Sequence, residues 1–403
     1  MPAELARFQN FAKLKDTQIA FNDITVLAGK PGTGKSYIMK FMYAINETLS
    51  SINNGNYKIH FALMDGNNQE QELFTAFRSF LNFDDTIDKL IDENNYIKAL
   101  EVLNLDTSHN QDESLFNMFK EYLEKFSKRQ KDSLVATDEE KFHFIFRNIL
   151  ESIFGSIDQI DSNFSFSNKL VKIQYSDNEI NLRQINFQKD IDGALFVETP
   201  LILEFEKFLP KERFKIPYHI DSLIQILNKN DFSFTSEETS NFINEFKKST
   251  AKIINGNVSK ESQGFSFVSN SGKNYNIINT SSGIKSIGLL QYLITSRAIK
   301  KGSVLYWEEP EVHLHPEWQL KMVDLFVELM NAGVKIVFST HSPYMADYLN
   351  AISKKQKFRD RISFNVLDEK DEVVSNHILD DDNWNILQKE LMDTFEDILW
   401  QYL

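Results

Sequence analysis

Eight consecutive residues, Gly29-Lys30-Pro31-Gly32-Thr33-Gly34-Lys35-Ser36, follow the pattern G-x-x-x-x-G-K-[ST]. The spacing suits a polyphosphate. Glycines let the backbone wrap until its N–H groups point inward at an anion, and a helix that starts at the end of the loop adds its positive pole. Lys35 is placed to bridge β- and γ-phosphates and the Ser36 hydroxyl to reach Mg²⁺.

A second group completes the chemistry. The apolar run Val304–Trp307 ends in Glu308-Glu309-Pro310-Glu311. At the carboxyl end of a parallel strand, one carboxylate can hold Mg²⁺ through water, and a second can orient or deprotonate the water that attacks the γ-phosphorus. Glu308 and Glu309 fit these two roles. An isolated Glu-Glu-Pro-Glu reads as a solvated turn; the phosphate loop reverses that reading. Ser339-Thr340-His341-Ser342-Pro343 follows another apolar run and brings His341 to the same sheet edge, within reach of a γ-phosphate. Ser281-Ser282-Gly283 opens a helix, with Ser282 as its N-cap and Gly283 allowing close backbone approach. His313 and His315 at i, i+2 do not make a zinc pair, since that spacing sends them to opposite helix faces.

These residues need an α/β frame to bring them together. Residues 24–28 read as a buried strand and Ser36–Leu49 as an amphipathic helix. A strand over 57–64 follows, then a helical insertion rich in charge to about Phe154. Alternation over 164–198 predicts antiparallel strands with one wet face; helices resume from Pro200 to about Ile254, and 255–280 reads as hairpin or loop. Two apolar runs, 303–307 and 334–339, flank a helix over 317–331 in βαβ fashion, and Trp384, Leu387, Leu391, Phe395, Ile398 and Leu399 share one helical face. The expected segments are 1–68 and 255–350 as two parts of the head, 69–163 as helical insertion, 164–254 as antiparallel lobe with helices, and 351–403 as hairpin and amphipathic helix.

Composition narrows the class. The 403 residues include no cysteine, so disulfides, thiolate metal sites and cysteine nucleophiles are excluded and a reducing, cytoplasmic setting is expected. No apolar run approaches the roughly 20 residues of a membrane-spanning helix, and no signal pattern opens the chain. A net charge of −14 speaks against a constitutive grip on nucleic acid, although basic spots at Ser127–Lys131 and Lys354–Arg361 leave a local groove open.

The order of phosphate loop, Ser-Gly helix, paired acids and Ser-Thr-His resembles the ABC-type ATPase head. Glu308-Glu309-Pro310-Glu311-Val312-His313-Leu314-His315-Pro316 looks like the soluble branch that contains RecF-like repair ATPases, overcoming-lysogenization-defect proteins and ATPases of Septu-, retron- and PARIS-type phage defence. The resemblance covers about 1–65 and 280–345 closely and implies a P-loop NTPase fold with a mainly parallel core sheet. It implies ATP and Mg²⁺ as ligands of Gly29–Ser36, Glu308 on the metal side, Glu309 as catalytic carboxylate and His341 as switch histidine. It further implies that Ser282-Gly283 meets ATP bound by a second copy in a head-to-tail homodimer, and that Asn10 lies near the adenine side. Glu308 stands where many relatives carry Asp, and Gln69, Gln71 and Gln188 are all positional candidates for the Q-loop glutamine.

The function so implied is an ATP-driven switch, the regulatory subunit of a bacterial anti-phage system. The 59 residues after Tyr344 are too few for a nuclease domain, so the effector is expected on another chain. The competing expectation is a repair ATPase that binds DNA directly.

Overall fold

A computed structural model describes residues 3–55, 85–92, 95–105, 113–187, 191–205, 216–228, 237–261, 264–312 and 314–392. β1 (Glu4–Phe11) and β2 (Leu14–Phe21) form a hairpin that leads into β3 (Ile24–Gly29), the glycine loop and α1 (Lys35–Asn53). β3 is buried at every position, as a strand without polar alternation must be when both faces of its sheet are covered. Next come α2 (Asp85–Asp92), α3 (Tyr96–Leu105), α4 (Glu113–Val135) and α5 (Asp138–Phe154), whose start is fixed by a capping box. There the Glu140 carboxylate accepts from Thr137 N at 2.7 Å, and Glu140 N donates to Thr137 Oγ1 at 3.2 Å.

β4 (Phe164–Ser167), β5 (Val171–Ser176), β6 (Glu179–Ile185) and β7 (Gly193–Val197) precede α6 (Ile202–Phe205), α7 (Tyr218–Asn228) and α8 (Glu237–Ile254). The chain then forms β8 (Gly256–Glu261), β9 (Gly264–Ser269) and β10 (Asn274–Asn276), followed by α9 (Ser282–Thr295), β11 (Ser303–Trp307), α10 (Pro316–Asn331), β12 (Lys335–Thr340) and α11 (Pro343–Lys355). β13 (Ile362–Lys370) and β14 (Val373–Leu379) form a hairpin, and a last helix runs over 385–392.

One mixed sheet of eleven strands carries the site, in the order β6-β5-β4-β1-β2-β14-β13-β3-β12-β11-β7. From β13 to β7 every neighbouring pair is parallel, so β3, β12, β11 and β7 all end at one edge. The expected α/β class with a mainly parallel core holds. The antiparallel lobe is the other half of the same sheet, joined through β2 and β14. Phe8, Phe11, Phe164 and Phe166 pack edge-on against Phe41 of α1, with ring centroids 4.9 to 6.1 Å apart.

Two expectations change, and the hairpin reading of 255–280 gains detail. Only β4–β6 of the 164–198 region are antiparallel; Gly193-Ala-Leu-Phe-Val is a continuous apolar run, and it pairs in parallel with β11. The 255–280 region folds into a three-stranded antiparallel sheet, β10-β9-β8. The cap of α9 is Ser281, whose side chain accepts from Ile284 N, and Ser282 is the first helical residue. The expected strand at 57–64, the three glutamines Gln69, Gln71 and Gln188, His313, and Phe395, Ile398 and Leu399 lie outside the described residues.

The chain divides into two compact units. The larger contains the eleven-stranded sheet. The smaller, built from Thr48–Ile149, has its own apolar cluster of Ile87, Leu90, Ile91, Tyr96, Ala99, Leu103, Phe119, Leu123 and Phe126. Among the described residues no helix is long and apolar enough to cross a membrane.

Candidate functional site

The loop after β3 is shaped by its neighbour. Gly29 has φ +136°, and a Cβ there would collide with the carbonyl oxygen of Leu367 on β13. Gly32 and Gly34, at φ +82° and +86°, curve the loop with open space around them. Lys35 opens α1 and folds back over the loop: its Nζ donates to the carbonyls of Gly29 at 2.7 Å and Lys30 at 2.8 Å. Thr33 Oγ1 donates to Lys30 O at 2.9 Å, so the loop is closed by its own side chains. Only 6% of Lys35 is exposed, and burial lowers its pKa to about 8 against the opposing pull of Glu309, Glu311, Glu390 and Glu308. Pro31 and the exposed Lys30 complete the turn.

Glu308 leaves the end of β11, with its backbone N–H bonded to Val197 O on β7 at 2.9 Å. Its side chain receives a hydrogen bond from Ser36, and burial raises its pKa, Lys40 opposing and Glu198 reinforcing. Among the described residues Glu308 Oε1 is buried without a partner. A buried carboxylate oxygen beside a phosphate-loop serine is a ligand position for a hard cation. The residues therefore fit Mg²⁺ and a nucleotide polyphosphate, with Ser36 and Glu308 as the metal-side pair.

Glu309 is held in the left-handed region at φ +43°, its N–H shared between the carbonyl and Oγ of Ser339, both at 3.2 Å. The Glu309 carboxylate is 44% exposed and lies 3.3 Å from His341 Nε2. Burial lowers the His341 pKa, Lys35 adding to the effect and Glu309 opposing it.

Glu311, third acid of the motif, is the organiser. Its Oε1 accepts from Thr340 Oγ1 at 2.9 Å and from His341 N at 2.6 Å, which fixes the turn that presents the imidazole. Ser342 then caps α11 by accepting from Met345 N and donates to Gln319 Oε1 at 2.6 Å. Burial raises the Glu311 pKa against these bonds.

A flank not foreseen from the sequence lies at the end of β7. Glu198 accepts from Lys40 Nζ at 3.2 Å and meets His219 Nε2 at 2.9 Å. Burial lowers the His219 pKa, the bond to Glu198 opposing it, and with a carboxylate as its partner at 2.9 Å Nε2 is the donor. That bond, with help from Lys40, holds the Glu198 pKa at about 2. Nothing local in the sequence pairs these three; they meet because α1 and α7 bring Lys40 and His219 to the end of β7.

The structure brings Gly29–Ser36, Glu308, Glu309 and His341 to one edge. Ser282 and Gly283 find their contacts elsewhere: a Cβ at Gly283 would press on Trp318 and approach Leu314. The turn before them is braced by buried Lys285, which donates to Thr280 O at 2.8 Å and ion-pairs with Glu204. Asn10, at φ +50°, sits beside the β1–β2 turn, while Phe11 is buried. His315 caps α10 by accepting from Glu317 N, and among the described residues no cluster of three His, Cys, Asp or Glu could hold a metal. In the second basic spot Arg361 binds Asp23, Asn331 and Met330 O, Arg359 binds the carbonyls of Ile362 and Leu379, and Lys354 pairs with Asp381.

No curated protein matches this sequence. Among solved structures, the SMC head domain from Thermotoga maritima aligns over 94% of this chain and all of that one, with 12% identity and a TM-score of 0.43. An SmcHead bound to the C-winged helix domain of ScpA aligns over 96% and 100%, with 13% identity and a TM-score of 0.44. A family model for the AAA ATPase domain, AAA_15, matches residues 7–346, which contain the loop, both acids and the histidine; the chain belongs to this AAA ATPase domain family.

Proposed function

We propose that the protein is an ATP-binding and ATP-hydrolysing switch that works as a homodimer and controls a separate effector protein. The observation that carries this reading is the meeting of Lys35, Ser36, Glu308 and the Glu309–His341 pair at one sheet edge.

ATP is the substrate. The loop N–H groups and Lys35 bind its phosphates; Lys35 exchanges the Gly29 and Lys30 carbonyls for phosphate oxygens. Ser36 and Glu308 would hold Mg²⁺, which supplies charge stabilisation on the phosphate oxygens. Glu309 accepts the proton of the attacking water, and His341, anchored through its own N–H by Glu311, keeps the Glu309 carboxylate in place. Burial lowers the His341 pKa, which favours the imidazole, donating one hydrogen bond, over the charged imidazolium.

The homodimer is supported by the openness of Glu309 and by the exposure of Ser281 at the start of α9. In an ABC-type sandwich, Ser282–Gly283 of one copy covers the nucleotide of the other. Lys285 and Trp318 stiffen that turn from behind. The anti-phage setting and a nuclease or toxin as effector are proposed from the Glu-Pro-Glu…Leu-His-Pro form of the acidic segment. Direct DNA binding is not favoured, because Arg359 and Arg361 are spent on contacts within the fold.

The test is light scattering of Glu309→Gln with ATP and Mg²⁺, followed by affinity purification from cells that express the neighbouring genes. A dimer that forms only with nucleotide and carries a stoichiometric protein supports the proposal. A nucleotide-independent monomer refutes the switch, and bound DNA without a protein partner replaces effector control by the repair reading.

A further inference from the structure

The helix over 385–392 lies against the phosphate loop. It is seated by Trp384, whose ring packs edge-on against Phe364 at 4.8 Å and whose Nε1 donates to Asp347 Oδ1 at 2.8 Å, and by fully buried Leu387. Six residues beyond Trp384 the helix presents Glu390. One oxygen stands 3.7 Å from Lys30 Nζ; the side chain is 10% exposed, and among the described residues the other oxygen, Oε1, is buried without a hydrogen-bond partner. Glu390 is also among the carboxylates that act electrostatically on Lys35.

A desolvated carboxylate with a free oxygen is an odd neighbour for an anion-binding loop. Without nucleotide it offsets the positive charge of Lys30 and Lys35. With a polyphosphate in the loop it faces like charge at short range, where low dielectric makes repulsion strong. We propose that Glu390 is an intramolecular counter-ion that competes with nucleotide phosphate for the loop, so that nucleotide binding breaks the Lys30–Glu390 pair and loosens the C-terminal helix. This rests on the nucleotide-binding reading. The helix thereby becomes regulatory, since the state of the loop is transmitted to the end of the described chain and the charge on the helix sets nucleotide affinity.

The anchor and the sensor are separate residues. Trp384 and Leu387 hold the helix through ring packing, a hydrogen bond to Asp347 and burial, all away from the loop, whereas Glu390 pairs with Lys30 of the loop. Loosening therefore starts at Glu390 and spreads from there.

Binding of a fluorescent ATP analogue with Mg²⁺ is measured for the parent, Glu390→Gln and Glu390→Lys, at low and high salt, each also with Lys35→Ala. Neutralising Glu390 is expected to tighten binding about tenfold at low salt and Glu390→Lys further, with both gains shrinking at high salt as screening grows. A second readout needs no turnover: hydrogen exchange of the amides over 385–392 accelerates when the nucleotide is added to the parent, and is already fast in Glu390→Gln without it. Equal or weaker binding by both variants, or helix protection that ignores nucleotide, overturns the proposal. If no protein binds the analogue and Lys35→Ala changes nothing, the nucleotide-binding reading itself has failed.

Discussion

Replacing Gly29 by alanine separates the structural need for glycine from the ligand's need. At φ +136° an L-residue is strained by about 1–3 kcal/mol. The added methyl also meets the Leu367 carbonyl, which is backbone and pairs in register with Gly29, so β13 must move away from β3. Forcing extra volume into such a contact costs about 1–3 kcal/mol more. The sum is about 2–6 kcal/mol, against about 1 kcal/mol for Gly32→Ala or Gly34→Ala, where φ is positive but no atom lies within 4 Å. Urea titration followed by tryptophan fluorescence reads the right unit, because Trp307, Trp318 and Trp384 all belong to the larger one. The expected order is Gly29→Ala far below Gly32→Ala and Gly34→Ala in stability, with the last two losing nucleotide affinity while remaining folded. If Gly29→Ala is as stable as Gly34→Ala, close approach of β13 does not dictate this glycine.

Glu309→Gln should slow phosphate release about 10²–10⁴-fold while nucleotide still binds, checked by a release assay beside a binding titration. Glu311→Ala should cost about 2 kcal/mol and lower turnover as the His341 turn loosens, whereas Glu311→Gln keeps an acceptor for Thr340 and His341 and should stay close to the parent. Lys35 binds phosphate only when protonated. With its pKa lowered to about 8, affinity should be flat below that pH and fall above it, and Lys35→Met should be weak at every pH. Lys285→Met should destabilise by about 3–5 kcal/mol by stranding Glu204, and a second change, Glu204→Leu, should restore much of the loss, read by thermal unfolding.

Site residues adjacent in sequence, or placed at the ends of apolar strands, were legible before the fold was known. Gly29–Ser36 is one contiguous loop, and Glu308, Glu309 and His341 each follow a run that can only be a buried strand. Partners chosen by tertiary proximity were not. Glu198 reaches the flank of Glu308 because β7 pairs with β11, and the alternation read over 164–198 hid that β7 is an apolar parallel strand. Ser281 and Ser282 are equally good caps by type; the extended backbone of Ser281, with ψ 152°, decides between them. Glu311 was visible as a third acid, but its role depends on the Thr340–His341 turn coming beside it.

The strand that carries the glycine loop has both sheet neighbours far downstream: β3 pairs with β12 at residues 335–340 and with β13 at 362–370. At about 5–20 residues per second of synthesis, β3 waits on the order of 15–60 s before either neighbour is made. During that interval its six apolar-rich residues have exposed edges, a template for wrong pairing. The antiparallel β1–β2 hairpin can form at once; the parallel core closes last. Nucleotide-binding competence is thus acquired late in the life of the nascent chain, and the protein should depend on holding factors during synthesis more than its native stability alone would suggest.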